Sequence, residues 1–287
     1  MSAFTERAVV VDGVRVEVLE AGRGEPIIYF HGAGTTSGFQ DLLPLSRFRR
    51  LIVPIHPGFG ASDDDAGINS MLDYVVHYNA LFDQLDLNSP VDLVGHSLGG
   101  WMAGLFTVLN SRRVRRLALA CPAGLRVAEH PTADMFTIRA EQVPSYIVSS
   151  PEALARIPSN DLTVDMRVGR YRELTSLARI IWDKEYDPKL SRWLKWIRVP
   201  TLILWGTKDR ITPVEQAKVW TSLISTSEIE TFEGAGHLLF LEAPEAVGRL
   251  GHFSPNDRPM RKSRALTNRS EVSDAATHME GRTCFLH

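Results

Sequence analysis

The chain has 287 residues, of which 44% are hydrophobic and 23% are charged, and its formal net charge is −2. This length and composition are typical of a globular protein that buries one large core, and the near-neutral charge gives no reason to expect nucleic acid as a partner. Two cysteines, Cys121 and Cys284, are too few for a disulfide framework, and no group of cysteines and histidines has the spacing of a metal site.

Eight short apolar runs predict strands, and the first two are separated by Asp12-Gly13, a typical hairpin turn. The runs are 9–11, 14–19, 26–30, 51–55, 91–94, 114–120, 201–205 and 228–232. Most are almost continuous in apolar residues, as expected for parallel strands covered on both faces. Segments of helical length lie between them, at 37–46, 71–87, 98–110, 213–223 and 244–250. This alternation predicts a mostly parallel, doubly wound α/β sheet.

The alternation stops between residues 124 and 197, where no convincing strand pattern occurs. Helical patterns lie near 132–142, 151–157 and 162–182, and several prolines interrupt them. We therefore expect a helical insertion between the strands 114–120 and 201–205. The core would then comprise residues 1–123 and 198–251.

The composition changes again after Leu250. Residues 252–287 are rich in Ser, Arg, Asn, Asp and Pro and have no apolar periodicity. Such a segment cannot bury enough apolar surface to offset the entropy of ordering it. We predict that residues 252–287 form a disordered tail and that the last helix breaks at Gly251.

Gly95-His96-Ser97-Leu98-Gly99 joins the predicted strand 91–94 to the predicted helix 98–110. A sharp turn of this kind forces its serine into a strained backbone conformation and presents the hydroxyl beside the helix N-terminus. The two glycines allow strand and helix to run close together. Ser97 could instead only cap the helix, but the glycine spacing is needed when the side chain must be presented. Ser97 is therefore a candidate nucleophile.

A serine nucleophile needs a base, and the base needs an acid that orients it. Asp209 follows the predicted strand 201–205, and His237 follows the predicted strand 228–232. Because open α/β sheets bind their ligands at the carboxyl ends of the strands, we expect Ser97, Asp209 and His237 to meet there. The alternatives are a turn or N-cap role for the aspartate and a loop role for the histidine.

Five short motifs occur in a fixed order along the chain. They are His31-Gly32-Ala33-Gly34, Pro57-Gly58-Phe59-Gly60-Ala61-Ser62-Asp63, Gly95-His96-Ser97-Leu98-Gly99-Gly100, Trp205-Gly206-Thr207-Lys208-Asp209 and Gly236-His237. In these motifs the chain resembles the α/β-hydrolase superfamily, from about residue 9 to about residue 250. The resemblance implies an α/β-hydrolase fold in which the insertion 124–197 is a helical cap. The other family position for the acid, after the strand 114–120, holds Cys121, which favours Asp209.

The resemblance also implies an oxyanion hole and a substrate pocket. A tetrahedral oxyanion needs two N–H donors, and those implied here are the backbone N–H groups of Ala33 and Leu98. Candidates for the pocket wall are the apolar residues Met135, Phe136, Tyr146, Trp182 and Leu238. The alternative for those in the insertion is that they only dock it onto the core.

From these residues we expect a serine hydrolase without cofactor or metal that cleaves a small or medium, mostly apolar carboxylic ester. Its partner would be a small-molecule substrate, with neither nucleic acid nor membrane involved. The serine argues against the related dehalogenases and epoxide hydrolases, which use an aspartate. Because residues 1–7 have no long apolar core and no segment approaches the length of a membrane span, we expect a cytoplasmic protein.

Other activities stay open at this point. One alternative is a carbon–carbon bond hydrolase of ring-cleavage diketones, whose members often carry a tryptophan after the catalytic histidine, where this chain has Leu238. Lactone or thioester hydrolysis is also compatible with the motifs. A non-catalytic ligand receptor on the same fold could retain an intact triad, and turnover of a generic ester would exclude it.

Overall fold

A mostly parallel sheet lies at the centre of the protein. The computed structural model describes residues 3–35, 39–157 and 163–253. Their strands are β1 (Thr5–Val11), β2 (Val14–Ala21), β3 (Pro26–Phe30), β4 (Arg50–Pro54), β5 (Val91–His96), β6 (Val114–Ala120), β7 (Thr201–Gly206) and β8 (Ser227–Phe232). The order in the sheet is β1-β2-β4-β3-β5-β6-β7-β8. β2 is antiparallel to β1 and β4, and the other neighbouring pairs are parallel. All eight predicted strands are confirmed.

Burial explains why these strands could be predicted. Every residue of β5 and β7 is buried, so both faces of the central sheet are covered and the apolar runs are continuous. At the edge, β1 buries only Val9 and Val11, and β8 buries only Phe232. The carboxyl ends of β5, β7 and β8 lie at one edge of the sheet because these strands are parallel.

The helices occupy most of the predicted segments. They are α1 (Met71–Gln84), α2 (Leu98–Leu109), α3 (Val143–Ile147), α4 (Pro151–Arg156), α5 (Val164–Ile181), α6 (Leu190–Trp193), α7 (Gln216–Leu223), α8 (Leu239–Glu242) and α9 (Pro244–His252). The described part of the segment 37–46 is a 3₁₀-helix instead, Gln40–Arg47, with Pro44 inside it. Among the described helices, none combines the length and the apolar character needed to cross a membrane.

Residues 124–197 lie between β6 and β7, and we call them the cap segment. Its described part contains α3 to α6 and a short 3₁₀-helix, Leu194–Trp196, and its β-type pairing is limited to one bridge between Gly124 and Tyr186. The helical character predicted for the insertion is therefore confirmed for the described part.

The predicted helix at 132–142 is wrong. This stretch forms turns, and the regular helix α3 begins only at Val143. The side chain of Asp134 accepts a hydrogen bond from the N–H of Phe136 at 2.9 Å, and the N–H of Ala133 donates to the carbonyl of Ile211 at 2.8 Å. A short acidic side chain that binds the nearby backbone competes with the helical hydrogen bonds, and here it prevails.

The C-terminal boundary also differs from the prediction. α9 does not break at Gly251 but continues to His252, and Phe253 after it is buried. A guanidinium nitrogen of Arg116 donates to the carbonyl of Phe253, and the guanidinium carbon lies 5.6 Å from the centre of the phenyl ring. The predicted tail therefore begins at least two residues too early. The rest of it, residues 254–287, lies outside the described residues.

Candidate active site

Ser97 stands at the junction of β5 and α2 in a rare backbone conformation. Its φ is 55° and its ψ is −118°, a combination that a residue with a side chain seldom adopts. The surrounding backbone holds it there: its N–H donates to the carbonyl of Ala120 at 3.0 Å, and its carbonyl accepts from the N–H of Ala123 at 3.0 Å and from that of Gly100 at 2.9 Å. Strain maintained by such contacts is typical of functional sites.

The glycines on either side of Ser97 are required by space. A Cβ atom on Gly95 would lie 2.3 Å from the carbonyl oxygen of Gly99, and one on Gly99 would lie 2.1 Å from the carbonyl oxygen of Phe30. Both distances are far below van der Waals contact, so only glycine fits. The close approach of strand and helix expected from the sequence is confirmed.

The structure brings Ser97, His237 and Asp209 into one hydrogen-bonded chain. His237 Nε2 lies 2.8 Å from Ser97 Oγ, and His237 Nδ1 lies 2.8 Å from Asp209 Oδ2. The three residues are 8%, 5% and 7% exposed, so water screens their interactions little. With the Nδ1 proton donated to the carboxylate, Nε2 is free to accept the proton of the serine hydroxyl.

Asp209 is held as an anion by the donors around it. Its Oδ1 accepts the N–H groups of Ile211 at 2.8 Å and Thr212 at 2.9 Å, and its Oδ2 accepts the hydroxyl of Thr212 at 2.9 Å in addition to His237. Burial alone would raise the pKa of Asp209, but His237 and the Thr212 donors together hold it below its ordinary value of 3.8. Thr212 was not identified from the sequence, although a threonine three residues after the acid was a usable signal.

The candidate oxyanion donors lie on two elements that meet at Ser97. Leu98 is the first residue of α2, so its N–H has no acceptor within the helix. Ala33 lies in the loop after β3, and a Cβ placed on the preceding Gly32 would lie 3.3 Å from Ser97 Cβ. The loop that carries Ala33 therefore contacts the turn that carries Ser97.

Two stacked histidines support the loop that carries Ala33. The rings of His31 and His56 are 3.6 Å apart, His31 Nε2 accepts the N–H of His56 at 2.9 Å, and His56 Nε2 donates to the carbonyl of His31 at 2.8 Å. His31 Nδ1 donates to the carbonyl of Gly32 at 2.7 Å, while the hydroxyl of Tyr78 donates to His56 Nδ1. Burial lowers the pKa of His56 to about 3 and that of His31 well below its usual value. Both are neutral braces.

His96 supports the base from the other side. Its Nε2 donates to the main-chain carbonyl of His237 at 2.8 Å, and the two rings are 5.0 Å apart. Burial, followed by the charge that His237 can carry, lowers the pKa of His96 to about 4. A neutral His96 can therefore position His237 without competing with it for a proton.

Cys121 lies directly beside the acid and base. Donor atoms of Cys121, Asp209 and His237 all lie within 4.8 Å of one another. A metal ion there would have to take the nitrogen that already binds Asp209. Burial raises the pKa of the Cys121 thiol, and the charge of Asp209 raises it further, which opposes the thiolate form that metals require. Asp209 and His237 therefore fit a triad with Ser97 better than a metal site with Cys121.

The candidate pocket residues are dispersed. Phe136 and Trp182 contact each other, with ring centres 5.2 Å apart, but Trp182 is 70% exposed and lies at the surface. Tyr146 packs under the guanidinium of Arg210 at 4.2 Å, next to the acid.

Two further candidates stand in different surroundings. The half-buried Leu238 follows the base and donates its N–H to the carbonyl of Ile147 in the cap segment at 2.8 Å. Met135 is half-buried within the turns after Pro131. Tyr146 contacts Arg210, which follows the acid, and Leu238 follows the base, so both lie next to loops of the candidate triad. Trp182 lies at the surface and does not line an enclosed pocket.

Comparison with known proteins identifies the family. Residues 25–244 match a family model described as alpha/beta hydrolase fold. A 2-hydroxy-6-oxo-2,4-heptadienoate hydrolase from Pseudomonas putida is 29% identical over 87% of this chain and 96% of its own length. Monoacylglycerol lipase ABHD6 from Homo sapiens is 28% identical over 69% of this chain and 64% of its own length.

A solved structure agrees with these matches. The crystal structure of a serine hydrolase involved in carbazole degradation is 26% identical and superposes with a TM-score of 0.67, covering 85% of this chain and 95% of that one. Because the family model spans most of the chain and the sheet has the matching architecture, the protein belongs to the alpha/beta hydrolase fold family.

Proposed function

We propose that the protein is a cofactor-independent serine hydrolase that cleaves a small or medium, mostly apolar carboxylic ester. The observation that carries this proposal is the buried chain from Ser97 Oγ through His237 to Asp209, with 2.8 Å at each step. A serine in a strained turn, a base within hydrogen-bond reach and an anion that orients the base are the three parts that nucleophilic catalysis by serine requires.

The reaction would proceed through an acyl-enzyme. Ser97 Oγ forms a bond to the ester carbonyl carbon while His237 Nε2 takes the hydroxyl proton. The N–H groups of Ala33 and Leu98 stabilise the oxyanion of the tetrahedral intermediate. When the carbon–oxygen bond breaks, the imidazolium gives its proton to the departing alcohol. Water then attacks the acyl-enzyme with His237 as the base, which releases the acid and restores the serine.

The surroundings of the acid support this cycle. The imidazolium forms twice in each turnover, and the carboxylate of Asp209 must be charged at both moments. The donors around Asp209 keep its pKa below the ordinary value of 3.8, so the carboxylate is anionic at neutral pH. His96 stays neutral and keeps the base in place. The pair His31–His56 also stays neutral and keeps the loop that carries Ala33 in place.

A second candidate is hydrolysis of a carbon–carbon bond in a ring-cleavage diketone. The observation that favours it is the similarity to the Pseudomonas putida heptadienoate hydrolase, which extends over 96% of that protein. The same triad would attack a ketone carbonyl, and the carbon leaving group would take a proton. The lipase relative supports the ester proposal instead, as does Leu238 at the position after the base.

A direct comparison of substrates tests both candidates. Purified protein is given p-nitrophenyl esters of rising acyl length and, separately, a 2-hydroxy-6-oxo-dienoate, and kcat/KM is measured for each with Ser97→Ala as the control. We expect the esters to have the higher kcat/KM. A higher value for the dienoate would select the second candidate. Turnover of neither substrate, with no labelling of Ser97 by a fluorophosphonate, would leave a ligand receptor as the remaining interpretation.

A further inference from the structure

Glu242 is a half-buried carboxylate that ends α8, five residues after the candidate base His237. Its Oε2 accepts the N–H of Gly236 at 2.6 Å. Its Oε1 accepts the N–H groups of Ser149 and Ser150, both at 2.8 Å, and lies 2.9 Å from the hydroxyl of Ser149. One carboxylate therefore connects the residue before the base to two residues of the cap segment.

The loop before His237 packs closely against this carboxylate and against the cap segment. A Cβ on Gly236 would lie 2.7 Å from Glu242 Oε2 and 3.1 Å from the backbone nitrogen of Ser149. A side chain at position 236 would therefore displace either the carboxylate or the cap segment. Glycine at this position allows the loop before His237 to rest directly on the cap segment.

Other hydrogen bonds connect the same two segments. The N–H of Leu238, directly after the base, donates to the carbonyl of Ile147 at 2.8 Å. The hydroxyl of Ser149 also lies within hydrogen-bond distance of the carbonyl of Gly234. The loop that presents His237 is thus bound to the cap segment before and after the histidine.

The charge of Glu242 strengthens this connection. Hydrogen bonds to an ionised acceptor are shorter and about twice as strong as neutral ones, and the contact with Gly236 is short. Within the described residues, its hydrogen-bond partners are backbone N–H groups and one hydroxyl, with no lysine or arginine among them. The charged carboxylate therefore mainly binds backbone N–H groups and holds these stretches of main chain in place.

We propose that Glu242 is a positioning residue for the base: it holds the loop Gly234–Leu238 against the cap segment and thereby fixes the orientation of His237 toward Ser97. This inference rests on the proposed function, because it assigns Glu242 to the same catalytic chain. It also assigns the cap segment a part in catalysis, through Ser149 and Ser150, besides any part in enclosing substrate.

Glutamine at this position is a sharp test because it keeps the shape and changes one acceptor into a donor. The partners of both carboxylate oxygens are N–H groups. Whichever way the amide is turned, its NH₂ group faces an N–H, so the bond to Gly236 or the bonds to Ser149 and Ser150 must be lost. Glu245→Gln is the matched control, since Glu245 is exposed in the first turn of α9.

For each variant three quantities are measured: kcat and KM with a p-nitrophenyl ester, the rate of Ser97 labelling by a fluorophosphonate, and the rate of tryptic cleavage at Arg156 in the cap segment. For Glu242→Gln we expect kcat and the labelling rate to fall about 10- to 100-fold, the size of effect that a misplaced catalytic group produces. We expect KM to change by less than about threefold, because substrate contacts are retained. Cleavage at Arg156 should accelerate, and Glu245→Gln should match the wild type in all three.

Several outcomes would overturn the inference. Faster cleavage at Arg156 with unchanged kcat and labelling would mean that Glu242 only anchors the cap segment. A rise in KM with constant kcat would place its effect on substrate binding. If Glu242→Gln does not fold, Gly236→Ala disturbs the same contact between Gly236 and Glu242 by adding a methyl group at position 236. Normal kcat and a normal labelling rate in that variant would contradict the inference. A wild type that neither turns over esters nor is labelled at Ser97 overturns the proposed function and this inference together, whereas an active wild type with unaffected variants overturns the inference alone.

Discussion

The sheet and the cap segment are held in place by different interactions. The buried apolar cluster takes side chains from every strand of the sheet. From the described part of the cap segment it takes Leu125, Leu177, Leu190, Leu194 and Ile197. Most of the first half of α5 is exposed, including Val164 at 65%, Val168 at 54% and Tyr171 at 70%. The sheet is thus stabilised by close packing, and much of the cap segment is not.

Polar contacts also fix the cap segment to the core. On α5, the buried Glu173 accepts the N–H of Gly60 at 3.1 Å and the hydroxyl of Thr35, and Arg172 donates to the carbonyl of Ser62 at 3.0 Å. Such contacts contribute about 0.5–1.5 kcal/mol each, less than a buried leucine. We therefore expect changes in the core to abolish catalysis or lower stability, whereas changes in the cap segment should shift the positions of side chains at the active site.

The largest effect is expected from Ser97→Ala in the core. Loss of the nucleophile should reduce kcat by about 10⁴–10⁶ and abolish fluorophosphonate labelling while the fold is retained. The matched change in the cap segment is Ser145→Ala, at an exposed serine, which should leave kcat near the wild-type value. Ester hydrolysis by Ser97→Ala at the wild-type rate would show that the nucleophile is another residue.

The next effect is expected from removing one charge. Asp209→Asn should lower kcat by about 10⁴, because the amide stabilises the wrong tautomer of His237, while substrate binding is preserved. Asp165→Asn in the first turn of α5 is the counterpart in the cap segment and should change kcat little. A near-normal rate for Asp209→Asn would mean that another carboxylate orients the base.

How much of this could be predicted from the sequence also differs between the two regions. The strands and the turn at Ser97 were predictable because continuous apolar runs and the two glycines report directly on burial and close approach. The contact of Ser97, Asp209 and His237 followed from their places after parallel strands. Their catalytic roles stay a prediction.

The cap segment was harder to predict because its structure depends on side chains that bind distant backbone. The turns at 132–142 form where Asp134 caps the N–H of Phe136, a local bond that helical periodicity does not reveal. Glu242 was missed for a similar reason, since its partners include N–H groups about 90 residues away. No pattern along the chain reports such a contact.

A matched pair of leucines tests the packing difference itself. Leu202 in β7 is 0% exposed and Leu174 in α5 is 47% exposed. Leu202→Ala should lower the free energy of unfolding by about 2–5 kcal/mol, because it leaves a cavity and loses buried apolar surface. Leu174→Ala should change it by about 0.5 kcal/mol or less. Urea denaturation measures both, and equal losses would show that the cap segment is packed as tightly as the sheet.

Acid should destabilise the core through its buried histidines. Burial lowers the pKa of His96 to about 4 and that of His56 to about 3, whereas both are near 6.5 in the unfolded chain. Between these values the unfolded state binds more protons, so stability is complete above about pH 6.5 and falls as the pH falls. At pH 4, His96 alone should account for a loss on the order of 3 kcal/mol.

The control for this pH dependence comes from the cap segment. His96→Asn removes the titrating group, so the loss of stability between pH 6.5 and pH 4 should shrink by that amount. His130→Asn makes the same substitution at a histidine outside the core, whose side chain is 44% exposed. Urea midpoints measured across this range would contradict the argument if the two variants behaved alike.

The smallest effect is expected from shortening the chain, and it separates the core from the C-terminal residues. Residues 254–287 contain none of the candidate catalytic residues, so a chain that ends at Phe253 should keep kcat/KM within a few-fold of the full-length protein.

A chain that ends at Leu250 is the sharper comparison. It removes Phe253, whose carbonyl accepts a hydrogen bond from the buried Arg116, and Arg116 in turn pairs with the buried Asp92. Leaving that guanidinium without one of its acceptors should lower the free energy of unfolding by about 1–3 kcal/mol, as measured in urea. Equal stability of the two shortened chains would show that the contact with Phe253 contributes nothing, and loss of activity on cutting after Phe253 would show that residues 254–287 support the core.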